Sequence, residues 1–64
     1  MIINGKEMDF ESQITIEKML EKLNVSKDKV VVEVNFEIIP KEKYKDRVLN
    51  KEDKVEIVAF VGGG

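Results

Sequence analysis

The sequence predicts an α+β fold, a mixed sheet of four to five strands with one main helix packed on one face. Three observations predict it. Apolar and polar residues alternate near both ends of the chain, one stretch between them has helical apolar spacing, and the elements follow the order ββαβ, a short return segment, an irregular stretch and a final β. A chain of 64 residues leaves no material for a second core, so these elements belong to one domain, residues 1–61, ahead of a glycine tail.

The first strand is the short apolar run Met1-Ile2-Ile3. It stops at Asn4-Gly5, a dipeptide suited to a tight hairpin because both residues tolerate positive φ. The second strand is expected from Lys6 to Glu11, with Met8 and Phe10 on a buried face and Glu7, Asp9 and Glu11 on a wet one. Thr15 is a fitting N-cap for a helix whose stripe is Ile16, Met19, Leu20 and Leu23, spaced i, i+3, i+4, i+7. Glu17 near its start and Lys22 near its end agree with the helix dipole, and Asn24 closes it.

Val30-Val31-Val32-Glu33-Val34 is β-branched and begins a third strand, which Asn35-Phe36 turns into Glu37-Ile38-Ile39. Pro40 ends regular pairing because it has no N–H to donate. From Lys41 to Asn50 the chain is a polar connection with Tyr44, Val48 and Leu49 as anchors into the core. Lys51 to Lys54 forms a turn. The longest strand follows, with Val55, Ile57, Ala59 and Val61 alternating against Glu56, Val58 and Phe60. If this strand lies beside the first in parallel, the arrangement is a β-grasp, or ubiquitin-like, sheet. A ferredoxin-like arrangement is the rival; its second full helix has no good candidate, since Lys41–Asn50 has little helical periodicity.

Composition excludes several kinds of chemistry. The chain has no Cys and no His, which removes disulfides, thiolate nucleophiles, imidazole bases and zinc sites built from those ligands. A net charge of -2 gives no long-range attraction to phosphate backbones or anionic lipid, so neither nucleic acid nor a membrane surface is an expected partner. No run approaches the roughly 18 to 20 apolar residues that span a bilayer, the opening residues lack a secretory signal pattern, and the expected location is the cytoplasm. So small a domain has little room for an enclosed substrate pocket. The chain is therefore expected to act through other proteins.

Gly62-Gly63-Gly64 is the most informative feature. Without side chains, such a tail can thread a narrow channel in a partner and leave its α-carboxylate unhindered. Converted to an acyl-adenylate by another protein, that carboxylate becomes an electrophile for sulfur or nitrogen. On this reading the tail is a substrate and the chain is not a catalyst. Glycines at a terminus are also common as frayed ends, and what favours a chemical role is the hydrophobic strand that runs into them with no polar spacer.

These residues lead to a family. The whole chain resembles the ThiS sulfur carriers of thiamin biosynthesis, through Asn4-Gly5, Val34-Asn35, Ile38-Ile39-Pro40-Lys41 and above all Val55-Glu56-Ile57-Val58-Ala59-Phe60-Val61-Gly62-Gly63-Gly64. The resemblance implies a β-grasp fold and a reaction cycle. A ThiF-like adenylyltransferase would use ATP and magnesium to adenylate the carboxylate of Gly64. Sulfur from a cysteine desulfurase or related donor would then replace AMP, and a ThiG-like thiazole synthase would take sulfur from the resulting thiocarboxylate. A MoaD-like carrier for molybdopterin and a ubiquitin-like protein modifier are the alternatives. Phe36, where the family often has a small turn residue, Lys51-Glu52-Asp53 in place of Asp-Gly-Asp, and Ala59 in place of a frequent His depart from the family pattern.

Three further features have plainer readings. Lys41, Lys43, Lys45 and Arg47 are interleaved with Glu42 and Asp46 and read as a solvated loop. Glu52 and Asp53 read as turn residues, with no third metal ligand near them in sequence. Ile2, Val58 and Phe60 are expected together on the face away from the helix, as an apolar docking patch behind the tail.

Overall fold

The computed structural model describes residues 1–10 and 13–60. Five strands form one sheet: β1 (Ile2–Ile3), β2 (Lys6–Glu7), β3 (Val30–Val34), β4 (Glu37–Ile39) and β5 (Lys54–Ala59), in the spatial order β2-β1-β5-β3-β4. β1 and β5 are parallel, and the pairs β1–β2, β3–β4 and β3–β5 are antiparallel. The last strand thus enters the centre of the sheet beside the first. That is the β-grasp order, and it sets aside the ferredoxin-like rival.

Helix α1 (Ile16–Lys22) crosses one face and buries Ile16, Met19 and Leu20 completely or nearly so. Thr15 caps it: the Thr15 Oγ1 accepts a hydrogen bond from the Lys18 N–H at 3.2 Å. Two more of the N–H groups that a helix start leaves unpaired donate to loop carbonyls, Ile16 to Arg47 and Glu17 to Tyr44. Asn24, at φ 62, leaves the helix in the left-handed conformation just beyond the cap Leu23. Below the helix, Ile3, Val32, Val34 and Val55 fill the covered face of the sheet, each no more than 4% exposed. Val30, also buried, joins them at the end of β3.

The irregular stretch from Lys41 to Asn50 closes the core from the side. It contains a short 3-10 turn at Lys41–Lys43. Tyr44 is buried, and its hydroxyl oxygen accepts the Val32 N–H at 3.2 Å. Leu49 is fully buried, whereas the neighbouring Val48, expected as a third anchor, is 37% exposed. Val48 forms an isolated antiparallel bridge with Thr15, and in extended backbone adjacent side chains point to opposite sides. Leu49 takes the inner side and leaves Val48 the outer one.

The second strand is also shorter than its alternation suggests. Pairing covers Lys6–Glu7, and Met8 makes one further exchange with Met1, donating its N–H to the Met1 carbonyl at 2.9 Å. Asp9 and Phe10 lie beyond the pairing, and Glu11, the end of the expected strand, is outside the described residues. Met8 and Phe10 still pack against the core as half-buried side chains, as their spacing suggests. No helix among the described residues is long and apolar enough to cross a membrane.

Candidate functional site

The glycine tail follows β5, so the site begins with how that strand is held. On its β3 side, the Lys54 carbonyl accepts from Asn35 N–H at 2.8 Å, and Phe60 N–H donates to the Lys29 carbonyl at 3.1 Å. On its β1 side, the Asp53 and Val55 carbonyls accept from the N–H groups of Ile2 and Asn4 at 3.2 and 2.9 Å. The backbone of β1 then turns away at Asn4-Gly5, where φ is 52 and 79. Here the Asn4 side chain replaces the missing backbone: its Nδ2 donates to the Ile57 carbonyl at 3.2 Å and its Oδ1 accepts the Ile57 N–H at 2.6 Å.

A second asparagine holds the other end of the strand. Asn35, the first residue of the β3–β4 turn, accepts the Lys54 N–H on its Oδ1 at 2.9 Å and donates from Nδ2 to Asp53 Oδ1 at 3.0 Å. The other carboxylate oxygen of Asp53 accepts the Asn50 N–H at 2.8 Å. Asp53 is 8% exposed, buried among the donors that satisfy it, and serves as the joint between the turn before β5 and the β3–β4 hairpin. The central strand is thus held on both sides as far as Ile57, and on its β3 side as far as Phe60.

Beyond Phe60 come Val61 and the three glycines, which lie outside the described residues; so do the sequence-based assignments of Gly62, Gly63 and Gly64 to channel threading and of Gly64 to covalent modification. The other assigned residues are on view. Ile2, Val58 and Phe60 are 38%, 54% and 45% exposed. Alternation puts Ile2 and Val58 on the face away from the helix, because Ile3 and Val55 are buried beneath it. They do not form one cluster. Ile2 pairs with Lys54, four residues before Val58, or roughly 13 Å along the strand. The cross-strand neighbour of Val58 is Val31, itself 37% exposed. The patch near the tail therefore consists of Val31, Val58 and Phe60, and Ile2 sits apart.

Among the described residues no group of three or more Asp, Glu, His or Cys could hold a metal ion, and a surface depression of about 210 Å³ is lined by Met1, Phe10 and Leu49 together with Glu7, Asp9, Asn50 and Lys51. The resolved charge perturbations belong to exposed ion pairs. Lys27 donates to Glu17 at 2.8 Å and holds its carboxyl below the ordinary value, and Lys41 does the same for Asp28. These pairs pin the loop after α1 to the helix and to the Lys41–Lys43 turn. What sequence reading missed was the double use of asparagine. Its visible signal was the recurrence of Asn as the first turn residue in both hairpins.

A five-stranded mixed sheet of this order, with one helix on one face and the central strand continuing into glycines, defines a small ubiquitin-like β-grasp protein. The family is narrower still. The ThiS family model matches residues 1–64, and the chain belongs to the ThiS family of ubiquitin-like sulfur carriers. It is 41% identical over 63 residues to the sulfur carrier protein ThiS of Bacillus subtilis, covering 97% of this chain and 96% of that one. It is 48% identical over 64 residues to a thiazole synthase of Paramagnetospirillum magneticum, of whose length it spans only 20%. The crystal structure of the thiamine biosynthesis protein ThiS from Geobacter metallireducens superposes with a TM-score of 0.84 at 29% identity, covering 98% of this chain and 96% of that one.

Proposed function

We propose that this chain carries sulfur for thiazole formation in thiamin biosynthesis as a thiocarboxylate on Gly64, and that it is a substrate of its partners rather than a catalyst. The observation that carries this reading is the course of β5. The strand held from both sides up to Ile57, and by β3 and Lys29 up to Phe60, is the one whose sequence continues into Val61 and three glycines, so the fold serves as a handle for the tail. Family membership supports the chemistry.

The carboxylate of Gly64 attacks the α-phosphorus of ATP on a ThiF-like adenylyltransferase, which holds the magnesium, and pyrophosphate leaves. A persulfide formed by a cysteine desulfurase or related donor attacks the acyl carbon and displaces AMP. Cleavage of the S–S bond by a thiol leaves the thiocarboxylate. A ThiG-like thiazole synthase then accepts the sulfur. The similarity of this chain to about a fifth of proteins named thiazole synthase supports that last partnership. The work is placed in the cytoplasm, where these partners and ATP meet.

The glycines matter for their missing side chains. Gly63→Val should slow adenylation with little change in melting temperature, because a β-branched residue both widens the arm and stiffens its backbone. Deletion of Gly64 should leave the fold intact and abolish transfer. ATP–pyrophosphate exchange by the adenylyltransferase reads both variants. Exchange by Gly63→Val at the rate of the unaltered chain would argue against a narrow channel. Adducts of this chain on lysines of other proteins, with no thiocarboxylate, would support the modifier alternative instead.

A further inference from the structure

The β3–β4 hairpin carries two features that work against the stability of the isolated domain. The first is Phe36, at φ 71 in the second turn position, where the Cβ of an L-residue is crowded and glycine is favoured. Phe36 is 82% exposed, and the Lys54 ammonium lies 5.2 Å from its ring centroid. The second lies beside it on the face away from the helix. Glu33 and Glu56 are direct cross-strand partners, a like-charge pairing that disfavours the sheet. Ile38, the β4 partner of Glu33, is 64% exposed.

We propose that Phe36 and Ile38, with Glu33 and Glu56 beside them, form a second anchor for the adenylyltransferase, taken by an apolar pocket edged with Arg or Lys. This rests on the sulfur-carrier reading and deepens it. The hairpin meets β5 at Lys54, six residues before Phe60, so the anchor lies roughly 20 Å along the strand from the point where the tail departs. A partner holding both ends of the strand fixes the direction in which the tail enters its active site. Charge selects the occupant. The Lys54 ammonium lies over the Phe36 ring, and among the described residues no salt bridge reaches Glu33 or Glu56. A second copy of this chain would bring a second pair of carboxylates against the first, since a two-fold contact repeats the same patch. A basic partner surface would neutralise them.

The test uses the full chain and the adenylyltransferase from the same cell, with Phe36→Gly, Phe36→Tyr and the double variant Glu33→Gln, Glu56→Gln. Phe36→Gly should melt no lower than the unaltered chain yet bind about tenfold more weakly or worse, as loss of an aromatic anchor does. The effect should fall on KM for the carrier, with kcat of adenylation unchanged, because the tail is untouched. Phe36→Tyr should bind normally. The glutamine pair should melt higher, bind more weakly and flatten the salt dependence of binding. Unchanged binding by Phe36→Gly, a clear fall in its melting temperature, a Phe36-dependent dimer in sedimentation, or weakened binding to thiazole synthase alone would each overturn the proposal. If the unaltered chain is adenylated and only the Phe36 effect is missing, this inference fails by itself. If the unaltered chain is neither bound nor adenylated, the sulfur-carrier reading fails and takes the inference with it.

Discussion

The two hairpins of this protein are built on the same turn and differ at one residue. Asn4-Gly5 and Asn35-Phe36 both hold two successive residues at positive φ, 52 and 79 in the first, 52 and 71 in the second. In each, the asparagine side chain reaches sideways to β5, one gripping Ile57 and the other Lys54 and Asp53. The first position therefore has two duties, positive φ and a cross-strand clamp, and asparagine meets both. The second position has only the backbone duty. Gly5 meets it without strain, and a Cβ placed there would touch nothing within 4 Å. Phe36 meets it at a cost and leaves its ring in solvent. Folding explains three of the four residues, and the fourth points to recognition.

The largest expected effect breaks the clamp. Asn35→Ala removes two hydrogen bonds, strips the buried Asp53 of a donor and places alanine at positive φ, for a loss of about 3 kcal/mol in chemical denaturation. Asn4→Ala removes the two bonds to Ile57 in more exposed surroundings and should cost about 2 kcal/mol. A smaller loss at Asn35 than at Asn4 would show that Asp53 is not the joint between the two regions.

A smaller effect sharpens the contrast at the second position. Gly5→Ala should destabilise by about 1 kcal/mol from backbone strain alone. Phe36→Gly should move the other way by a few tenths to about 1 kcal/mol, the relief of strain less a weak cation–π contact. Changes of the same sign at both positions would mean that the turns are not equivalent.

The smallest effect lies away from both turns and calibrates them. Glu17 and Asp28 are held below their ordinary values by Lys27 and Lys41, so the stability they add is present above the usual carboxylate range and is lost as pH falls through their lowered folded-state values. Lys27 is raised by the same contact with Glu17, so its share is complete at neutral pH and is lost as pH rises through a folded-state value above 10.5. Melting temperature should therefore dip slightly in acid, and Glu17→Gln should shrink that dip. Because both pairs are exposed, added salt should shrink it too.

Much of this architecture was legible because it follows from local periodicity. The Ile16-Met19-Leu20 stripe, the Thr15 cap, the Asn4-Gly5 turn and the alternation along β5 all depend on neighbours in sequence. What failed depends on distant ones. The length of β2 is set by its partner β1, and the choice of Leu49 over Val48 as the anchor is set by the bridge to Thr15. The separation of Ile2 from Val58 follows from the parallel register of strands about fifty residues apart, which alternation within one strand does not reveal. The burial of Asp53 required Asn35, 18 residues earlier, to be folded against it. For the site the division is similar: the glycines stand out in sequence, while the asparagine clamps that hold β5 ahead of them emerge only from the packed sheet.

The measurement closest to the central claim is the intact mass of the full chain after incubation with ATP, magnesium and the ThiF-like adenylyltransferase, with and without a desulfurase and cysteine. Without the sulfur source, the mass should rise by one adenylate. With it, the adenylate should be replaced by a gain equal to sulfur exchanged for one oxygen, located to Gly64 by fragmentation. An unchanged mass beside an adenylyltransferase shown to be active on another carrier, or a modification anywhere but Gly64, would contradict the account.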